Sequence, residues 1–144
     1  MKFIKLIGHP VLVISLFLLL LISGESFGGF YATYILMGLP AGVPDTIFAV
    51  LGIGLMVIGY NVHLKKYAFL KPVLYVAGIV LMIISLILFF KITKGYNNQT
   101  FHQLVPLISF ALYGISVLCN IVHSIRLLLI KEQPRRSRRL NIVS

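Results

Sequence analysis

Imidazole is the side chain best suited to proton transfer or metal ligation near neutral pH. Three of the four histidines, His9, His63 and His123, stand near the ends of apolar runs. Neutral imidazoles gathered at one depth are the usual nitrogen ligands of haem or a transition metal. None of the three belongs to a paired motif, and no carboxylate lies close in sequence to complete a site. Interfacial hydrogen bonding is therefore their expected role, and no metal or other cofactor is assigned. The single Cys119 sits inside an apolar run and reads as a small buried hydrophobe. No nucleophile, base and orienting group can be assembled at credible positions, so the chain is expected not to be an enzyme.

A second pattern is richer. His102, Pro106, Ser109, Tyr113, Ser116, Asn120 and His123 follow one another at alternating steps of four and three, which places them on one face of a helix. In hydrocarbon such groups need partners, so this polar stripe should face other helices, an oligomer interface or a solvated path. Tyr60, Asn61 and His63 add an inner polar cluster at similar depth to Asn120 and His123. Small residues recur at intervals of seven: Gly52 and Gly59, Gly78 and Ser85, Ser109 and Ser116. Helices in lipid approach one another through small residues, and a heptad interval keeps them on one seam of a left-handed bundle. These six are the expected packing or oligomer interface.

The elements that must carry these residues are membrane helices. The 144-residue chain is 59% hydrophobic and only 11% charged, with a mean hydropathy of +1.01, far from the roughly 45–50% apolar content of soluble domains. Four spans are expected, over about 4–23, 46–64, 72–90 and 101–126; the first three are near the ~20 residues that cross a ~30 Å hydrocarbon core, and the fourth is longer than a bilayer requires, so that it should tilt or project into the cytoplasm. The first is read as a retained span, although a basic start, an apolar core and the small residues Gly24 and Ser26 also fit a signal peptide. Asp45 is placed to cap the second, and Pro72 opens the third where its missing N–H matters little. Between the first two spans, residues 27–38 bring Phe27, Phe30, Tyr31 and Tyr34 together among glycines, the composition of a short helix in the membrane interface. Residues 1–130 thus form an all-α four-helix transmembrane domain, and 131–144 a basic, mobile tail.

Positive charge orients the bundle. Eleven Lys and Arg residues fall on the side of the termini and of the Lys65–Lys71 loop, against only Lys91 and Lys94 opposite. Both termini are therefore expected in the cytoplasm, most simply of a bacterial inner membrane. Asn98, Gln99 and Thr100 form a glycosylation acceptor in the opposite loop. Arg135, Arg136, Arg138 and Arg139 make a polybasic patch suited to anionic lipid or a cytoplasmic protein; without interleaved aromatics, direct nucleic-acid binding is not expected.

One span, a segment containing Gly38, Leu39, Pro40 and Ala41, and three further spans resemble in layout the small four-helix DoxX-type membrane proteins. The resemblance implies a fold and carries no function. The expected function is a non-enzymatic, self-associating membrane subunit, a scaffold or sensor that recruits a cytoplasmic partner through its inner face and tail. A conduit lined by the polar stripe and a haem- or quinone-binding redox subunit are the alternatives.

Overall fold

The computed structural model describes residues 6–23, 28–61, 69–93 and 97–140, with the backbone alone at 98, 99, 128 and 130–140. His63, Glu25, Phe27 and Lys94 lie outside the described residues, as do the side chains of Arg135, Arg136, Arg138 and Arg139. The chain is mostly helical. In order come α1 (Pro10–Leu18), a hairpin of β1 (Leu21–Ser23) and β2 (Gly28–Phe30), α2 (Tyr31–Gly38), α3 (Pro44–Asn61), α4 (Leu70–Ile92), a 3-10 turn (Asn98–Phe101) and α5 (Leu104–Leu140). Three helices, Pro44–Asn61, Leu70–Ile92 and Leu104–Leu127, are long and apolar enough to cross a membrane. Large apolar side chains on their outer faces, among them Val57, Ile58, Ile87, Leu112, Ile115 and Leu118, are exposed. Hydrocarbon is the medium that covers such surface without penalty, so the protein is membrane-embedded.

The first apolar run departs from the uninterrupted helix expected over 4–23. A proline ring inside a helix clashes with the carbonyl four residues back and has no N–H to donate. Pro10 imposes this on Leu6, and His9 before it is driven to an extended conformation, φ −69° and ψ 131°. Helix therefore restarts at Pro10 and lasts nine residues, ~14 Å at 1.5 Å per residue. Beyond Leu18 the chain becomes extended and pairs antiparallel with β2, with Leu21 opposite Phe30, Ile22 opposite Gly29 and Ser23 opposite Gly28. No glycine or proline announces this change. Its cause is tertiary: Tyr31 N–H donates to the Leu20 carbonyl at 2.7 Å, and hydroxyls of distant residues bind the strand, as described below.

The segment expected to lie in the interface divides likewise. Phe30 is exposed, but Tyr31 is fully buried, its ring edge-to-face with both Phe17 and Phe89 at 5.2 Å. Tyr31 is thus part of the core that joins α1, α2 and α4, and not of an aromatic belt.

α3 and α4 form the most extensive helix pair. Gly52 and Gly78 face one another so closely that a Cβ on Gly52 would lie 2.8 Å from the Gly78 carbonyl oxygen, and one on Gly78 2.7 Å from the Gly52 carbonyl oxygen. Gly59 packs on Tyr75, and Ser85 is fully buried on the same side of α4. α5 begins at Leu104, with Pro106 in its first turn where the ring is tolerated. Its 37 residues extend ~55 Å, and the backbone is helical through Leu140, where a mobile tail was expected. Replacing Gly52 or Gly78 by Ala sets a methyl group against backbone that cannot yield and should destabilise by about 1–3 kcal/mol. A lowered thermal midpoint of the detergent-solubilised protein is the readout; an unchanged one would refute the close approach.

Candidate functional site

Where helix is interrupted in a medium without water, the freed carbonyls need donors from elsewhere. The break before Pro10 leaves the carbonyls of Ile7 and Gly8 outside any helical ladder. α5 supplies the donors. Ser116 Oγ donates to the Ile7 carbonyl at 2.7 Å, and Asn120 Nδ2 to the Gly8 carbonyl at 2.6 Å. Contact is possible because Gly8 has no side chain: a Cβ there would sit 2.7 Å from the Asn120 backbone nitrogen. Ser124, missed by a count that stepped from Asn120 to His123, lies four residues on and is fully buried, its Oγ 3.5 Å from Asn120 Oδ1.

The same stripe holds the strand. Ser109 Oγ accepts from Leu21 N–H at 3.1 Å and donates to the Pro106 carbonyl at 2.7 Å. Thr100 closes both valences of Ser23, accepting its N–H at 2.9 Å and donating to its carbonyl at 3.0 Å. In the sequence Thr100 stood out only as the third residue of the Asn98-Gln99-Thr100 glycosylation acceptor, which gave no hint of this role. Tyr113 packs tilted against Phe17 at 5.6 Å, and its buried hydroxyl has no hydrogen-bond partner among the described residues. His102 does not share the stripe: it lies in the turn before α5 and is exposed, because the helix starts two residues later. His123 is half-buried in α5.

At the end of the bundle opposite the Gly8 break, a second polar group is built around the start of α3. Ser85 Oγ donates to the Asp45 carbonyl at 2.7 Å. Its one proton being used there, Tyr31 is the donor in the 2.7 Å contact between the Tyr31 and Ser85 hydroxyls. Burial, opposed by the Ser85 hydrogen bond, pushes the Tyr31 phenol well above its ordinary pKa, so it remains a neutral donor. Asp45 lies within the first turn of α3, its carboxylate against the N–H groups of Asp45 and Thr46, and only 3% of the residue is exposed. A cavity of about 150 Å³ adjoins it, lined by Tyr34, Gly38, Val43, Asp45, Thr46, Phe89, Ile92 and Thr93. Sequence reasoning placed Asp45 before a helix beginning at Thr46, whereas the helix begins at Pro44 and holds Asp45 in its first turn; the cavity, whose walls come from three helices, was not foreseen.

Near the Gly8 break, His9 stacks edge-on against Tyr60 at 5.5 Å, and Lys71 Nζ lies 5.9 Å from the Tyr60 ring centre. Asn61 Nδ2 donates to Val57 of its own helix. Among the described residues no three His, Cys, Asp or Glu side chains converge to hold a metal. The free Cys119 is half-buried in α5.

Compared with known proteins, the chain matches no family model, no curated protein and no solved structure.

The stripe's role as backbone donor can be weighed residue by residue. Asn120→Leu leaves the Gly8 carbonyl without its partner and should cost about 1–3 kcal/mol. Tyr113→Phe removes a hydroxyl that has no partner among the described residues and should change stability by less than about 0.5 kcal/mol or raise it. Thermal unfolding of both variants in one detergent compares them, and equal losses would contradict the assignment.

Proposed function

We propose that the protein is a non-enzymatic membrane subunit with four spans and both termini in the cytoplasm, self-associating, and acting as a scaffold or sensor that recruits a cytoplasmic partner through the basic end of α5. The observation that carries this reading is the length of α5. Its apolar part, Leu104–Leu127, matches a bilayer, and the helix continues for a further ~20 Å at 1.5 Å per residue. Arg135, Arg136, Arg138 and Arg139 therefore ride on a helical arm that projects from the membrane, a shape suited to docking as well as to contact with anionic lipid. The excess of basic residues at that end orients it inward.

The fourth span in this reading is the broken segment 6–23. Some twelve helical residues at 1.5 Å and five extended ones at ~3.3 Å add to roughly the hydrocarbon thickness. Extended backbone is tolerated at such depth only where protein satisfies it, and Ser109, Thr100, Ser116 and Asn120 do so. Their engagement also favours the scaffold over a conduit, since the hydroxyls and amide that would line a path are bonded to the first segment. Exposed apolar residues along α5, including Leu107, Ile108 and Leu118, and the open surface at Gly114 offer a face for a second copy.

Photo-crosslinkers at positions 133 and 137 in living cells test the arm. A discrete adduct with an acidic cytoplasmic protein, lost on Arg135→Glu with Arg139→Glu, is expected; adducts with lipid alone would overturn the proposal. Labelling of single cysteines at positions 94 and 135 from opposite sides of the membrane is expected, and labelling from one side refutes the topology.

A further inference from the structure

We propose that His9, Tyr60, Lys71 and Tyr75 together bind the phosphate group of an anionic phospholipid. The four come from three segments: His9 precedes α1, Tyr60 stands at the end of α3, and Lys71 and Tyr75 share one face of α4. The His9 and Tyr60 rings meet at 5.5 Å, and the Lys71 ammonium lies 5.9 Å from the centre of the Tyr60 ring and 6.0 Å from that of Tyr75. Tyr75 is only 4% exposed, yet among the described residues its hydroxyl has no hydrogen-bond partner, and the Tyr60 hydroxyl and the Lys71 ammonium have none either. Two phenols, an imidazole and an ammonium can all donate. No acid accompanies them. Of the chain's three acidic residues, Asp45 and the hairpin flanking Glu25 are at the other end of the bundle, and the backbone of Glu132 is ~18 Å beyond Asn120 along α5. α4 also begins without a side-chain cap or an acidic residue in its first turn, so Lys71 sets a cation at the positive end of a helix dipole. A phosphodiester supplies the missing negative charge and acceptor oxygens for the donors.

The surroundings point to lipid as the source of that phosphate. The cluster lies where α3 ends and α4 begins, at the terminus of two apolar helices, which is the level of lipid headgroups. Val57, one turn deeper than Tyr60 on the same face of α3, is exposed and offers apolar surface to acyl chains. A zwitterionic headgroup carries an ammonium that Lys71 would repel, so an anionic headgroup is favoured. This inference requires neither the basic arm nor self-association.

The experiment uses the full chain. Purified in a non-ionic detergent, it is mixed with phosphatidylglycerol or phosphatidylcholine of the same acyl chains; native mass spectrometry counts the lipid retained, and the thermal midpoint follows binding, since a ligand held only by the folded state raises it. Phosphatidylglycerol is expected to be retained saturably and to raise the midpoint, and phosphatidylcholine to do neither. Lys71→Gln is expected to weaken retention about fivefold, the effect of removing one basic residue from contact with anionic lipid. Tyr75→Phe keeps the ring that packs on Gly59 and is expected to weaken retention while the lipid-free midpoint stays unchanged. Arg135→Gln with Arg139→Gln is expected to retain lipid like the natural protein, which separates this site from the arm. Sodium phosphate is expected not to displace the lipid; full displacement would identify free phosphate as the occupant and overturn the lipid assignment. Equal retention of the two lipids, loss of retention in the arm variant alone, or a Lys71→Gln variant that behaves like the natural protein would overturn the proposal.

Discussion

A carbonyl oxygen withdrawn from water must meet a donor, and at Ile7 and Gly8 the donors come from residues more than a hundred positions later. The rest of the arrangement depends on this exchange. Pro10 prevents the first segment from satisfying itself, the missing side chain of Gly8 lets it lie against the backbone of α5, and Ser116 and Asn120 complete the valences. Once that contact is made, Val13 and Phe17 fall into the core beside Tyr113 and Tyr31, and the strand beyond them arrives within reach of Ser109 and Thr100. In a water-soluble protein a loose carbonyl can turn to solvent. Here it cannot, and geometry is correspondingly unforgiving.

How much of this was legible follows from which forces act locally. The three long helices were readable because an apolar run of bilayer length has few other uses, and their ends moved by only a few residues, except that α5 continues to Leu140. The stripe on α5 was readable from its spacing, and so was the need for partners. Who the partners were was not, because a backbone carbonyl leaves no mark in the sequence. Pro10 was the overlooked sign: an apolar run of the right length hid a residue that helices reject in their interior. The extended stretch after Leu18 had no sign at all, since leucine and isoleucine serve helix and strand alike and the decision was made by Thr100 and Ser109.

The Asp45 region shows the same division between local and distant information. A capping rule sees an acid at a helix start and three following residues. It does not see that Phe89 and Thr93 return beside Tyr34, or that Ser85 anchors the turn through its carbonyl. Burial of Asp45 is a result of that folding, and so is the space next to it.

The pairing of Ile7 and Gly8 with Ser116 and Asn120 also sets a timetable. A ribosome delivers the first segment long before the last, so the Ile7 and Gly8 carbonyls wait for donors that α5 alone supplies. Its final seat exists only after the chain's last helix has entered, so biogenesis of this protein finishes where synthesis began.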